Sequence, residues 1–337
     1  MSYPSTFSIL VIGASGYLGG TILVELRKKY PGNIITALVR SSANDDAIRA
    51  AGVNDIVHAD LKDHAAVKDA AKGADVVFNA ADADNLELAK AVVDGLSERT
   101  RATGRRATLI HTSGTSELWD DAEGYADPNG RDAVEDDIAS VAPTALHRNV
   151  DDLIFEADRA GHLLGYIVAP SGIWGPGSGP VKRTSIISGA YFGLAQAFKR
   201  GIVIGDGSNN MPTVHINDAV SLYLLLLERG LAGKDLTASP FAKFYIASTY
   251  EQQSKDVLQA IANFFHKKGL YQSTQLESLS VAEATKLHPW AFVLARGTLI
   301  KAERGRAVGW KPVHVESIVP HIDELLEPAF LQAQQQA

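Results

Sequence analysis

The sequence contains no cysteine, no long basic segment and no long apolar run. Without cysteine, the chain has no disulfide, no thiolate nucleophile and no cysteine-based metal site. Nucleic-acid binding normally needs clustered Lys and Arg, and the formal net charge here is −7, so no nucleic-acid partner is expected. The longest apolar run, Leu222 to Leu227, is far too short to span a bilayer, so no membrane partner is expected either.

Three kinds of sequence signal are also missing. The first residues carry no charged region of the signal-peptide type before an apolar run of strand length begins at Phe7, so we expect a cytoplasmic protein. No G-x-S-x-G motif of a serine hydrolase is present. His, Asp and Glu do not occur at metal-ligand spacings, so no metal site is expected.

Apolar runs of strand length alternate with helical patterns through the first half of the 337-residue chain. The predicted strands are Ile34–Val39, Ile56–Ala59, Val76–Asn79, Thr108–Thr112 and Leu164–Ala169, after a first strand at Phe7–Ile12. This alternation is typical of βαβ units and predicts an α/β fold with a parallel sheet and helices on both faces.

The alternation weakens beyond Pro170. Residues 171–180 are rich in Gly and Pro and read as a loop. We therefore predict a first domain over residues 1–170 and a smaller substrate-side region over 171–330, partly interleaved with the sheet.

Residues 7–20 form the most informative segment of the chain. The first strand ends at Gly13, glycines recur at Gly16 and Gly19, and a helical pattern begins near Leu18. A strand that leads through a glycine turn into a helix presents backbone N–H groups and the positive end of the helix dipole to one point, where a pyrophosphate can bind. The predicted cofactor contacts in this loop are Gly13, Ser15, Gly16, Tyr17, Leu18 and Gly19.

The end of the second strand indicates which dinucleotide binds. No carboxylate stands there; instead Arg40 is followed by Ser41. An acidic residue at this point binds the ribose 2′-hydroxyl of NAD, whereas an Arg accommodates the 2′-phosphate of NADP, so the sequence favours NADP. The alternative interpretation of Arg40 is a solvated side chain at a strand end. Asp60 and Leu61, after the third strand, are placed to meet the adenine, and Ala80 and Ala81, after the fourth, allow close approach of a ligand.

Taken in order, these motifs resemble the extended and atypical short-chain dehydrogenase/reductase families, which are related to the NAD-dependent epimerase/dehydratase proteins. The resemblance continues through Thr112-Ser113-Gly114, the loop 170–177, Val214–Ala219 and the ending Val308–Pro312. It implies a Rossmann-type doubly wound parallel sheet with a smaller C-terminal substrate-side region. By analogy with such folds, a homodimer is also expected.

The resemblance further implies roles for individual residues. Ser113 occupies the place of the serine that binds the substrate oxygen. The nicotinamide is expected near Pro170, Gly172 and Ile173, whereas His215 and Asp218 are expected to anchor their segment.

The family's Tyr-x-x-x-Lys pair has no match in this chain. Counted from Ser113 and back from Pro170, the pair falls on His147 and Asp151. Because i and i+4 share a helix face, we expect His147 to donate a proton and Asp151 to orient its ring. The alternative is a pair of ordinary polar residues beside an inactive cleft. Other tyrosine candidates for a proton donor, Tyr125 and Tyr191, are more often packing residues, and His111 is expected in the core.

Three functions are compatible with the sequence. The first is an NADP-dependent oxidoreductase that acts on a small carbonyl or hydroxyl substrate, with Ser113, His147 and Asp151 as the catalytic residues. The second is a cofactor-binding regulator without turnover, similar to the NmrA-like proteins. The third is an epimerase or isomerase that uses bound cofactor. The loop 171–180 and the aromatic residues Trp174, Tyr191 and Phe192 suggest a formed pocket beside the nicotinamide, which favours the first.

Overall fold

Strands and helices alternate regularly up to residue 170 and less regularly beyond it. A computed structural model describes residues 6–127 and 130–336 of the protein. The strands are β1 (Ser8–Ile12), β2 (Ile34–Val39), β3 (Asp55–His58), β4 (Val76–Asn79), β5 (Thr108–Thr112), β6 (Leu164–Pro170), β7 (Gly172–Trp174), β8 (Ile202–Ile204), β9 (Asn210–His215), β10 (Phe244–Ala247), β11 (Tyr250–Gln253) and β12 (Glu277–Leu279). The helices are α1 (Tyr17–Lys29), α2 (Asp45–Ala50), α3 (His64–Lys72), α4 (Leu86–Thr103), α5 (Arg148–Arg159), α6 (Ile186–Phe198), α7 (Ile216–Leu231), α8 (Ser254–Lys267), α9 (Val281–Leu287), α10 (Glu303–Ala307) and α11 (Ile322–Gln336).

The central sheet has the strand order β3-β2-β1-β4-β5-β6-β10, and every neighbouring pair in it is parallel. The order reverses between β1 and β4. Since crossovers between parallel strands are right-handed, this reversal places α1 and α2 on one face and α3 and α4 on the other. In agreement, α1 packs against α7, whereas α4 packs against α3 and α5. The predicted doubly wound α/β fold is confirmed.

Helix boundaries follow local capping. The side chains of Asp63 and Asn85 accept hydrogen bonds from the N–H groups of Ala66 and Leu88 and so begin α3 and α4. Gly104, with φ +67°, ends α4. The helix expected from Leu146 begins at Arg148 instead, because His147 has φ +67° and cannot continue a right-handed helix.

Within the described residues, the apolar side chains form two cores. One lies around the central sheet, and the other joins α6, α8, α11 and the β8–β12 pair. The chain beyond residue 170 contributes to both, since α7 and β10 pack in the first core. The division at residue 170 therefore stays a prediction. Among the described helices, none combines the length and apolarity needed to cross a membrane.

Candidate active site

The glycine loop joins three elements at distances that side chains would prevent. Gly13 has φ +89°, and a Cβ there would lie 2.8 Å from the carbonyl oxygen of Ala80 at the end of β4. A Cβ on Gly19 would lie 2.3 Å from the carbonyl oxygen of Gly13. The glycines therefore let the end of β1, the end of β4 and the first turn of α1 meet. This is the point where the strand order reverses, the usual position of a ligand crevice in such a sheet.

The first turn of α1 is open to an anion. Its N-cap, Gly16, has no side chain that could bond the free N–H groups of that turn. The loop after β7 lies close by: the Tyr17 hydroxyl donates to the carbonyl oxygen of Gly175 at 2.7 Å, and the Lys182 N–H donates to that of Ser15 at 3.4 Å. The side chains of Tyr17 and Leu18 are buried, so any contact with a ligand here would come from the backbone.

The residues predicted to bind the adenosine end lie on adjacent strands at the same edge. Arg40 is exposed at the end of β2 and forms no hydrogen bond or ion pair with the described parts of the chain. The Ser41 hydroxyl accepts a hydrogen bond from the Ala43 N–H, and the Asp60 carboxylate accepts one from the Lys62 N–H. Leu61 is half-buried. Each polar side chain thus keeps capacity for a further partner.

The other end of the crevice is lined by small and apolar residues. Ala80 and Ala81 follow β4, and the Ala80 N–H bonds to the carbonyl oxygen of Ile12. Pro170 ends β6, while Gly172 and Ile173 lie in β7 and are half-buried. The predicted contacts thus lie along the carboxyl edge of the strands, in chain order.

His147 is held between two side chains that come from different loops. Its Nδ1 lies 2.7 Å from the carboxylate of Asp84, and its Nε2 lies 2.6 Å from the hydroxyl of Ser116. The backbone N–H of His147 also donates to Asp84, at 3.2 Å. With Asp84 accepting the Nδ1 proton, a neutral His147 accepts the Ser116 hydroxyl proton at Nε2.

The prediction that Asp151 orients His147 is therefore wrong. The i, i+4 rule applies to two residues inside a helix, whereas His147 precedes the first helical residue in a left-handed conformation. Asp84 and Ser116 were missed by sequence reasoning. They lie in the loop after β4 and the short 3-10 turn after β5, and no local spacing connects them to His147.

Asp151 belongs instead to a buried polar cluster behind the relay. It is completely buried, and its Oδ1 lies 3.8 Å from Nε2 of His111. Burial, followed by the charge of the neighbouring Glu117, raises the pKa of Asp151 well above the usual range. Burial likewise raises the pKa of Glu117 and lowers that of His111 to about 3. The cluster is thus largely uncharged near neutral pH.

His111 and Ser113 lie at the end of β5 beside this cluster. His111 is completely buried, as predicted, and its Nδ1 pairs with the side-chain amide of Asn79 at 3.2 Å. Ser113 is 5% exposed, and its hydroxyl has no well-formed hydrogen bond with any described residue. A buried hydroxyl with spare capacity at the end of a central strand is suited to a substrate oxygen.

The segment around His215 has an anchoring role, as expected. The carboxylate of Asp218 accepts hydrogen bonds from the N–H groups of Val313 and His314, at 2.9 and 2.8 Å. The Trp310 indole donates to the carbonyl oxygen of Asp218. These bonds tie α7 to the chain after α10.

Three of these side chains lie near enough together to suggest a metal: His215, Asp218 and His314, whose ligand atoms are within 4.8 Å of one another. The two imidazole rings, however, stack with their centroids 3.7 Å apart, and Nδ1 of His314 already bonds Asp218. Stacked rings direct their nitrogen lone pairs along parallel planes rather than toward one point. Burial lowers the pKa of His215 to about 4, so the stack carries no charge repulsion at neutral pH.

The aromatic residues expected beside the nicotinamide mostly pack elsewhere. Phe192 contacts Phe265 and Phe330 in the second core, and Trp174 packs edge-on against His215. Their apolar character reflects core packing, so they do not support a pocket. Tyr125, by contrast, is 54% exposed and lines a cavity beside the relay.

Comparison with known proteins agrees with this arrangement. The profile of the NAD dependent epimerase/dehydratase family matches residues 9–238. The oxidase ucsJ of an Acremonium species is 26% identical over 91% of this chain and 93% of its own length. A 3beta-hydroxysteroid-dehydrogenase/decarboxylase of Arabidopsis thaliana is 26% identical, but the match covers 61% of this chain and 36% of that protein.

Solved structures show the same fold at low sequence identity. The UDP-glucose 4-epimerase of Thermotoga maritima superimposes with a TM-score of 0.63 at 14% identity, covering 97% of this chain and 99% of that one. The dTDP-glucose 4,6-dehydratase of Bacillus anthracis, solved in complex with NAD, gives 0.64 at 17% identity, with 95% and 96% covered. The glycine loop, the strand order and the family match together place this chain in the NAD-dependent epimerase/dehydratase family.

Proposed function

We propose that the protein is an NADP-dependent oxidoreductase that acts on a small carbonyl or hydroxyl substrate. The observation that carries the proposal is the Asp84–His147–Ser116 relay, with contacts of 2.7 and 2.6 Å, at the carboxyl edge of the sheet. A titratable imidazole with a carboxylate on one nitrogen and a hydroxyl on the other is built to move a proton.

The residues at the crevice fit a dinucleotide. The uncapped first turn of α1 and the glycine contacts that exclude a Cβ make room for a pyrophosphate at Gly13–Gly19. Arg40, exposed and without an ion pair among the described residues, and Ser41 would hold the 2′-phosphate. Asp60 and Leu61 would contact the adenine, Ala80 and Ala81 the middle of the cofactor, and Pro170, Gly172 and Ile173 the nicotinamide. When bound, NADPH supplies the hydride.

The protein's own residues supply the proton. In the reductive direction, protonated His147 gives a proton to the developing alkoxide, directly or through the Ser116 hydroxyl, while Ser113 donates a hydrogen bond to the same oxygen. Asp84 stabilises the imidazolium and fixes its orientation. The His147 side chain is 14% exposed and that of Asp84 60% exposed, so the proton is replaced from solvent. Oxidation of an alcohol uses the same groups in reverse.

The position of Asp151 favours a second candidate, the cofactor-binding regulator. The side chain is completely buried and carries no positive charge, so it cannot take over the contact that a lysine makes with the nicotinamide ribose. A protein that binds NADPH through an intact crevice without turning it over would have this feature.

The test is NADPH oxidation over a panel of aldehydes, ketones and quinones, with NADPH affinity measured in parallel by fluorescence. We expect His147→Asn, which tolerates the left-handed backbone, to lower kcat by roughly 10²- to 10⁴-fold. NADPH affinity should remain within about twofold, since His147 contributes no contact to the proposed cofactor site. The matched control is His162→Asn, because His162 lies just before β6 at the opposite edge of the sheet.

Native turnover in His147→Asn would show that the relay does not supply the proton. Tight NADPH binding with no turnover of any substrate by the wild-type protein would indicate the regulator. Interconversion of an added substrate without net NADPH oxidation would indicate the epimerase or isomerase.

A further inference from the structure

A cavity of about 660 Å³ adjoins the relay. Glu117 and Leu118 on one wall belong to the same 3-10 turn as Ser116, and Ala145 on another lies two residues before His147. The volume is typical of a small-molecule site. A molecule in this cavity would therefore lie against the two segments that carry the relay.

The charged side chains around this cavity are mostly acidic. Those among the described lining residues are Glu117, Asp120, Asp127, Arg131 and Asp137. Arg131 forms two hydrogen bonds with Asp137, at 2.6 and 2.9 Å, so these two charges compensate each other. The nearby Arg296 is directed away, to the carbonyl oxygen of Asp120 and the carboxylate of Asp121.

Asp120 and Asp127 are the acidic groups that remain at the cavity. Burial raises the pKa of Asp120, and the charge of Asp127 adds to the rise, which shows that the two carboxylates act on each other. A cation between them would relieve this repulsion. A phosphate or carboxylate in the same place would increase it.

A buried acceptor points the same way. Asn209 lines the cavity and is 2% exposed. Its Nδ2 donates to the carbonyl oxygens of Leu294 and Arg296, at 3.1 and 2.8 Å. Its Oδ1 receives no hydrogen bond from the described part of the protein. A buried amide oxygen without a donor is costly unless a ligand supplies one.

We propose that the substrate carries a protonated amine, which binds to Asp120 and Asp127 and donates to Asn209, while its carbonyl or hydroxyl group reaches the relay. This inference rests on the proposed function, because it takes the cavity as the substrate site of that relay. The cavity thereby selects against phosphorylated and carboxylated substrates and for amino ketones or amino alcohols.

The test uses three ketones of similar size and different charge: para-(aminomethyl)acetophenone, para-ethylacetophenone and para-acetylbenzoate. Their binding to NADP⁺-loaded protein is measured by calorimetry, and their reduction by NADPH oxidation. We expect the amine to bind about tenfold more tightly than the ethyl compound, the effect of one hydrogen bond to a charged group, and the carboxylate to bind least. Asp120→Asn and Asp127→Asn should each reduce this preference, and together remove it.

Glu123→Gln is the matched control, because this exposed residue lies between the two aspartates in sequence and does not line the cavity. It should leave the preference intact. Reduction of all three ketones without a charge preference would overturn the inference and leave the proposed oxidoreductase standing. Preferential binding of the amine without any reduction would do the opposite. Failure of the amine to bind at millimolar concentration would also overturn the inference.

Discussion

The glycine loop and the start of α5 lie at the same edge of one sheet but are constructed differently. The loop depends on backbone: Gly13, Gly16 and Gly19 follow one another within seven residues and are defined by the side chains they lack. The start of α5 depends on side chains from three segments, with Asp84, Ser116 and His147 spread over 64 residues. A backbone site can be recognised from its spacing, whereas a side-chain site depends on which loops the fold brings together.

The largest effect is expected from Gly19→Ala, in the backbone site. The new Cβ would lie 2.3 Å from the Gly13 carbonyl oxygen, and neither backbone segment can yield without moving β1 or α1. We expect a loss of about 3 kcal/mol in the free energy of unfolding, and loss of NADPH binding. Urea denaturation and cofactor fluorescence measure both.

Gly32→Ala is the control, since a Cβ there would meet nothing within 4 Å. If Gly19→Ala were as stable as Gly32→Ala and bound NADPH normally, the close contact would not matter to the loop, and the contrast between the two regions would fail at its clearest point.

A smaller effect is expected from Arg40→Asp, which tests a side chain added to the backbone site. Reversal of charge beside a 2′-phosphate should weaken NADPH binding by about 30-fold or more and leave NADH binding nearly unchanged. Arg49→Asp makes the same change in charge on the exposed side of α2 and should affect neither cofactor. Equal weakening of NADPH and NADH by Arg40→Asp would show that Arg40 does not read the phosphate.

The smallest effect is expected from Asp151→Asn, in the side-chain region. The folded-state pKa of Asp151 is raised by burial and then by Glu117, so between its unfolded pKa of about 3.9 and that raised value the folded protein holds a proton that the unfolded chain has released. Stability therefore falls with rising pH by up to about 1.4 kcal/mol per pH unit from this group. His111, whose pKa is lowered to about 3, contributes the opposite slope only below its unfolded pKa of about 6.5.

The measurement is urea denaturation at several pH values above that of free histidine. Asp151→Asn should become more stable relative to wild type as the pH rises, whereas Glu156→Gln, an exposed change on the same helix, should run parallel to wild type. Parallel curves for Asp151→Asn would mean that its carboxyl is ionised in the folded protein.

Much of the fold was predictable because its signals are local. The first six strands of the sheet were placed within about two residues of their observed ends, and α4 was predicted with its observed bounds, since Asn85 and Gly104 define both ends. The seventh strand, β10, was missed: only four residues long, it lies far along the chain from its partner β6. Its position depends on pairing, which a local apolar run does not reveal.

The candidate site divides in the same way. The sequence alone determined the glycine loop, Arg40 at the end of β2 and the family resemblance, because each depends on residues that are close in the chain. Only the tertiary structure decided that Asp84 and Ser116 flank His147, that Asp151 lies buried with Glu117 and His111, and that an acidic cavity adjoins them. The physical reason is that hydrogen bonds and charge interactions act over a few ångströms in space, and the distances between loops are set by the packed sheet rather than by their separation along the chain.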